Sequence, residues 1–333
     1  MTRFCLFDVS NLIYRLSFAG KLSDSEDSAN LVLANAIRSM RVPYDRFKSK
    51  HPVMCFDHAS WRKREFPEYK ANRDDRKSGP EARAFDAIVS VISDFREFLT
   101  NNTNSTVLHA PNCEADDLIA RFAAIHPDDD HVIVSSDSDF KQLVSERVWV
   151  YNPVSTMLLT HEGIFLNRGV KLKRGTPTKM IFGEEWEVVL EDGVPAAFDP
   201  KKFLFAKILD GDKGDNVPRA SVPFTKKKLI EEAWAYPDGI AWNNIMNAVR
   251  TDLDGSPKVG DLFERNRRLI DLSAIPDDIC RTVDETILRA VQKPSIASLG
   301  MKFLMFCRSR GMIALGTELE RYVPMLASRY VDA

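Results

Sequence analysis

Across roughly the first 150 residues, short apolar runs that end in polar residues alternate with longer stretches of helical spacing. Phe4–Val9, Val53–Phe56, Thr106–His109 and His131–Ser135 read as strands. Between them Asn30–Met40, Phe85–Leu99 (Phe85, Ile88, Val89, Ile92, Phe95, Leu99) and Glu114–Ile125 repeat apolar positions every three or four residues. This alternation predicts an α/β fold, a mostly parallel sheet flanked by helices. Sheets of that kind carry their sites beyond the carboxyl ends of the strands.

Residues 147–200 follow another pattern. Val148–Tyr151, Met157–Thr160, Lys171–Ile181 and Trp186–Leu190 predict strands and hairpins broken by Gly and Pro. One arm is basic (Arg168, Lys171, Lys173, Arg174, Lys179) and the other acidic (Glu184, Glu185, Glu187, Glu191, Asp192), as if the two faced each other across a hairpin. From Asp199 onward the spacing is helical, punctuated by Pro218, Pro237, Pro276 and Pro294. The expected division is therefore an α/β core at 1–200, with a hairpin insertion at about 155–195, and a helical C-terminal region at 201–333.

Composition narrows the class. The 333 residues are 44% hydrophobic and 28% charged, which suits a folded soluble chain. No apolar run is long enough to span a membrane, and Asp8 falls where a secretory leader would need its apolar stretch. Cys5, Cys55, Cys113, Cys280 and Cys307 are scattered and form no CxxC pair. A disulfide framework and a zinc site are both disfavoured, and a reduced, cytoplasmic setting is expected.

Net charge is only −2, but its distribution is uneven. Residues 111–140 hold eight acids against Arg121, whereas 62–77 hold seven Lys or Arg against four acids. A solvated surface would give such clusters. So would an acidic metal site beside phosphate-binding surfaces.

The acids fall at telling places. Strands lead into Asp8, Asp57, the Glu114-Ala-Asp116-Asp117 group and the Asp137-Ser-Asp139 group, and a further set, Asp212 and Asp215, lies in the helical region. One Asp after a strand is ordinarily a helix cap or turn former. Acids delivered by every strand to one edge are different, because like charges raise each other's pKa unless cations compensate them. Mg²⁺ or Mn²⁺ takes carboxylates and water and needs no His or Cys. Two such ions activate a water and stabilise the leaving oxygen in phosphodiester cleavage. Asp8 lacks the second Asp of a haloacid-dehalogenase-type phosphatase, and the chain has no GxxxxGK[ST] loop.

Phe66-Pro67-Glu68-Tyr69-Lys70-Ala71-Asn72-Arg73 is very similar to the PEYKxNR signature of phage 5′-nucleases and of the 5′-nuclease domain of bacterial DNA polymerase I. The Glu114–Asp117, Ser136–Asp139 and Gly211–Asn216 groups resemble that superfamily's remaining metal motifs, in the same order. Within it the chain most resembles the T-even phage ribonuclease H type, a flap-endonuclease-type 5′→3′ nuclease. The likeness extends to Lys207–Val217 and Asn266–Ile279 and covers roughly 3–320.

The resemblance implies a PIN-like nuclease core, a helical arch at about 70–100 and helical DNA binding around residue 212. It implies one metal site at Asp8, Asp57, Asp116 and Asp137 and a second at Asp139, Asp212 and Asp215. Glu114 and Asp117 would be ligands or partners of the ions' waters. Two Mg²⁺ ions are expected, with Mn²⁺ as a substitute. Where many relatives carry Gly-Val-x-Gly-Ile-Gly, this chain has Arg219-Ala-Ser-Val-Pro-Phe224, a departure that leaves open the backbone-bound monovalent cation the resemblance would imply there.

Lys70 and Arg73 are three apart, share a helix face and could offset phosphate charge. Tyr69 could stack on an unpaired base. Arg62, Lys63, Arg64, Arg76, Lys77 and Arg83 suit phosphate contacts around the arch, and Arg219, Lys226, Lys227 and Lys228 suit a sequence-independent clamp on duplex. Trp149, Trp186, Trp234 and Trp242 read as core, and His109 as structural.

The expected substrate is DNA or an RNA–DNA hybrid with a 5′ end or flap, cut during phage-type replication by a monomer. A single-strand-binding protein and a sliding clamp are candidate partners. The stripe Tyr322, Met325, Leu326 and Tyr330 reads as core before docking surface. Two alternatives stay open: a PIN-type single-strand ribonuclease and a non-catalytic junction-binding protein.

Overall fold

The computed structural model describes residues 1–19, 25–73, 82–169, 175–222 and 227–330. The chain separates into two units of interleaved segments. Unit 1 takes residues 1–60, 76–198 and 278–333, and unit 2 takes 61–75 and 199–277.

Unit 1 is built on β1 (Arg3–Asp8), β2 (His51–Cys55), β3 (Thr106–Leu108), β4 (Asp130–Val134), β5 (Val148–Asn152), β6 (Met157–Thr160), β7 (Gly163–Leu166), β8 (Thr178–Ile181) and β9 (Glu184–Val188). Their order across the sheet is β3-β2-β1-β4-β5-β6-β7-β9-β8. The half from β3 to β5 is parallel, with Leu6 of β1 opposite Val53 of β2 and Ile133 of β4. Long helical connections make that possible. Beyond β5 all pairs are antiparallel, and the short links β5–β6, β6–β7 and β8–β9 allow nothing else.

Phe4 through Phe7 are buried on both faces of β1, which explains a continuous apolar run where a half-exposed strand would alternate. Helix Val9–Ala19 follows β1 directly, and helices Glu26–Arg46 and Ala82–Asn102 cover one face. The latter buries Ile88, Val91, Ile92, Phe95, Phe98 and Leu99. Each such side chain is worth about 1.5–3 kcal/mol on burial.

Part of their cover comes from far along the chain. Phe98 stacks on Phe306 of helix Leu299–Ser309 at 4.1 Å between ring centroids, and Phe303, Tyr322, Met325 and Leu326 lie in the same core. Tyr330 packs edge-on against Phe4. The C-terminal stripe is therefore core.

Two expectations change. Residues 278–333 complete unit 1, so the helical region from 201 onward is not one domain. Within the span expected for the arch, the buried positions from Ile88 to Leu99 of helix Ala82–Asn102 pack in the core, and 74–81 lie outside the described residues.

The hairpin charges also pair differently. Lys179 sits opposite Trp186, and its ammonium binds Glu162, while Glu184 takes Arg46 at 3.0 Å and Asn167. Lys171, Lys173 and Arg174 lie outside the described residues. Trp186 is buried as expected.

Unit 2 packs helices Pro200–Asp210, Lys227–Ala235, Ile240–Met246 and Val259–Ile270 around Phe205, Leu209, Val217, Phe263 and Leu269. Asp199 opens the first of these by accepting from the Lys201 and Lys202 amides, with Pro200 at the position where a missing N–H costs nothing. Arg62 is buried here, donating to the Leu269 carbonyl at 2.8 Å beneath the Trp61 ring. It is a structural cation, not the phosphate contact its basic neighbours suggested.

Among the described residues, no helix is long and apolar enough to cross a membrane.

Candidate active site

In unit 1 the carboxyl edge of the parallel strands is stitched together by short hydrogen bonds. Asp8 ends β1 and accepts from the Asn11 amide at 3.0 Å. Asp57, two residues past β2, donates its own amide to Ser10 Oγ at 3.0 Å and accepts from the Ala115 amide at 2.8 Å. The end of β2 is thereby tied both to the end of β1 and to the start of helix Ala115–Ile125.

At that helix start, Glu114 and Asp117 form a reciprocal cap. The Glu114 amide donates to Asp117 at 3.0 Å, and Ser60 Oγ donates to Glu114 Oε2 at 2.9 Å. Past β4, Asp137 accepts from the Asp139 amide at 3.0 Å, and its own amide donates to Ser135 Oγ.

Cys55 shows that these acids converge. Its thiol is pushed well above the ordinary range, first by complete burial and then by the negative charge of Asp8, Asp57 and Asp116. The charges of all three carboxylates reach the end of β2. The thiol among them stays protonated and is no ligand. An all-oxygen donor set of this kind fits a hard divalent cation such as Mg²⁺ or Mn²⁺.

Two neighbours had no place in the sequence reading. Tyr14, stacked on Phe85 at 5.7 Å, has its phenol pushed up to about 12, by burial first and then by Asp57. Arg15 is pulled down by burial, while Asp8 opposes that shift. Both ride on helix Val9–Ala19, whose signal, Leu12-Ile13 followed by Leu16, was available directly after β1. His109 is structural, as expected. Arg96 lies 2.7 Å from its Nε2, and burial, Arg96 and His58 bring its pKa down to about 4.

Unit 2 joins the PEYKANR and GDKGDN segments into one module. The Lys70 amide donates to the Asp215 carbonyl at 2.8 Å, Asn216 Nδ2 to the Glu68 carbonyl at 2.8 Å, and Asn72 Nδ2 to the Lys213 and Gly214 carbonyls. Lys70 and Asn216 both adopt left-handed backbone, at φ 57° and 59°. A non-glycine residue held there costs of order 1–3 kcal/mol, which the crossing hydrogen bonds offset. Gly211, at φ 70°, admits no side chain, since a Cβ would lie 2.4 Å from the Val217 carbonyl oxygen.

The side chains of this module balance one another. Asp215 accepts from the Tyr69 hydroxyl at 3.0 Å, pairs with Arg73 and lies 3.6 Å from the Lys70 ammonium. Asp212 accepts from the Gly214 and Asp215 amides and pairs with Lys207 at 3.0 Å. Burial opposes ionisation of Asp212, but Lys207 and those amides outweigh it and hold the carboxyl below the usual aspartate range.

Tyr69 requires a correction. Its ring is 3% exposed within the unit 2 core, so no face is open to a base. Its aromatic bulk anchors the segment, and only the hydroxyl reaches the module.

Arg219 is spoken for locally, by Ser221 Oγ at 2.6 Å and Asp210 at 3.2 Å. Lys227 and Lys228 are exposed at the start of helix Lys227–Ala235, whereas Arg76, Lys77 and Lys226 lie outside the described residues. Asp139 belongs to unit 1, and Asp212 and Asp215 belong to unit 2.

The carboxyl edge of the parallel strands thus gathers aspartates, in a chain that also holds a helical unit. Residues 3–174 match the family of the 5′–3′ exonuclease N-terminal resolvase-like domain, and the chain belongs to that family. DNA polymerase I of Mycobacterium tuberculosis (strain ATCC 25618 / H37Rv) is 31% identical over 235 residues, 67% of this chain and 21% of that protein. A 5′–3′ exonuclease of Aquifex aeolicus (strain VF5) is 28% identical over 64% of this chain and 63% of its own length. The chain thus spans about a fifth of the polymerases it matches. The bacteriophage T5 D15 flap endonuclease, solved with DNA and metal ions, shares the fold at a TM-score of 0.57 and 17% identity, over 87% of this chain and all of that one.

Proposed function

We propose that the chain is a divalent-metal-dependent 5′→3′ nuclease that cuts at 5′ ends and flaps and removes RNA primers from DNA duplexes in phage-type replication. The observation that carries the reading is the carboxyl edge of the parallel strands, where Asp8 ends β1 and Asp57 is tied both to Ser10 and to the start of the helix that bears Asp116. Family membership supports it.

Asp8, Asp57, Asp116 and Asp137 would hold the metal, with Asp212 and Asp215 as further acids of the same family motifs. When bound, Mg²⁺ or Mn²⁺ supplies an activated water and stabilises the leaving oxygen. The chain's own part is positional. The Ala115 amide fixes the Asp57 carboxylate, and the Glu114–Asp117 cap fixes the helix that carries Asp116. In unit 2, Lys70 and Arg73 would pass from Asp215 to substrate phosphates, and Lys227 and Lys228 would hold duplex without reading sequence. The products would be a 5′ phosphate and a 3′ hydroxyl.

The test is a 5′-labelled RNA primer or flap annealed to DNA, incubated with Mg²⁺ and then with a chelator. Cleavage that ceases on chelation is expected. Cleavage that persists, or none on any 5′-ended duplex, overturns the reading.

A further inference from the structure

The backbone just past the GDKGDN segment presents a row of carbonyl oxygens to two buried side chains. Asn266 Nδ2 donates to the Pro218 carbonyl at 2.8 Å and to the Ile208 carbonyl at 3.0 Å. The next three carbonyls converge on a single nitrogen. Arg250 Nη1 lies 2.5 Å from the Arg219 oxygen, 3.0 Å from that of Ser221 and 3.3 Å from that of Ala220. The opposite edge of the guanidinium is held by Asp252, Nε to Oδ1 and Nη2 to Oδ2, each at 2.7 Å. Arg250 is 7% exposed.

Several backbone carbonyls aimed at one point are the means by which proteins replace the hydration shell of a monovalent cation. Here the positive charge at that point is covalently part of the chain. It cannot diffuse away, and Asp252 orients it. The Ala220 and Ser221 amides both donate to the Leu209 carbonyl, so the loop is fixed from its other side as well. A loop with its carbonyls and amides so engaged has one conformation, and it precedes in sequence the helix Lys227–Ala235, which opens on Lys227 and Lys228.

We propose that Arg250 is the resident cation of the 218–221 loop, occupying the position of a diffusible monovalent ion, so that unit 2 keeps its duplex-binding shape whatever the salt. Arg250 is a positioning residue, since it acts through the loop and touches no substrate. The part of the proposal that concerns duplex rests on the function proposed above.

The test uses the full chain in KCl, NaCl and tetramethylammonium chloride at constant ionic strength, reading the melting temperature and the affinity for a flapped duplex. Wild type is expected to give one melting temperature and one affinity in all three salts. Arg250→Ala strands three carbonyls, so it should melt several degrees lower in tetramethylammonium and bind roughly tenfold more weakly. It should recover in KCl or on addition of millimolar guanidinium, a rescue that a purely packing role would not show. Arg250→Lys, which keeps a tethered charge and folds more readily, should stay indifferent to potassium.

A wild type stabilised by potassium over tetramethylammonium overturns the proposal without any variant. So does an Arg250→Ala protein equally impaired in every salt, or an Arg250→Lys protein that requires potassium. If the melting temperatures follow the expected pattern but no duplex binds in any salt, the resident cation stands and the duplex reading of unit 2 falls.

Discussion

Asp57 of unit 1 and Asp215 of unit 2 both belong to motifs that the sequence marks as metal-binding, yet the partners shown for each differ in kind. Asp57 takes the Ala115 amide, whereas Asp215 takes a tyrosine hydroxyl, a guanidinium and an ammonium. A backbone amide orients a carboxylate without cancelling its charge, and a cation does both. The backbone amide at Asp57 fixes that carboxylate's direction, while the pairs around Asp215 both orient it and offset its charge, which gives the unit 2 module its rigidity. Acids with the same motif signature can thus be held in place by different kinds of partner.

The sharpest way to break that contrast is Asp57→Asn. Cleavage should fall by at least ~100-fold, since even residues that only orient metal ligands cost 10–100-fold when removed. Affinity for flapped duplex, measured in chelator, should hold or improve as repulsion is relieved. An equal loss of affinity would mean that the edge in unit 1 is a binding surface and the contrast is false.

Tyr69 tests the other side. Tyr69→Ala should destabilise unit 2 by about 3–5 kcal/mol, and Tyr69→Phe, which loses only the bond to Asp215, by about 1 kcal/mol. Urea melts would show it. If both variants melt like wild type and lose only affinity for single strands, the ring is a stacking platform after all.

The smallest effect is acid dependence. Asp212 has a folded pKa below its unfolded one, so it adds stability above the unfolded value. That stability is lost as pH falls through the aspartate range, below about pH 4, toward the folded pKa. Lys207→Met removes the largest favourable contribution, so the variant should lose less melting temperature than wild type between neutral and acid pH. Parallel curves would show that Lys207 does not hold Asp212 ionised.

The strands of the parallel half could be read from the chain almost to the residue, because each is a short apolar run closed by a polar group. β7 could not: Gly163-Ile-Phe-Leu166 opens on a glycine, which reads as a turn. The helix Glu26–Arg46 runs beyond the expected 30–40 and through Pro43, since its buried face, not local propensity, sets its length. The positions of Asp8 and Asp57 were legible for a similar reason, since an acid at or just past a strand end is a local fact, while Asp116 was placed by the helix start at Glu114. The burial of Tyr69 and Arg62 was not, because it is decided by helices at 200–270 that lie far along the chain. Arg250 was the least legible of all. Thirty-one residues separate it from Arg219, and nothing around it in Asn247-Ala-Val-Arg250-Thr-Asp252 signals a carbonyl partner.

The interleaving of the two units has a consequence for biosynthesis. A ribosome that has released residues through Asp277 has supplied every segment of unit 2, although that unit's sequence begins at Trp61, inside the span of unit 1. Unit 1 was started sixty residues earlier, yet it still lacks Leu299, Phe303, Tyr322 and Met325, which cover Phe98 and its neighbours. The later-begun unit is the first able to finish. Until then the aromatic face of Ala82–Asn102 has no partner of its own chain from the last segment, and this interval is where a nascent chain would engage a chaperone.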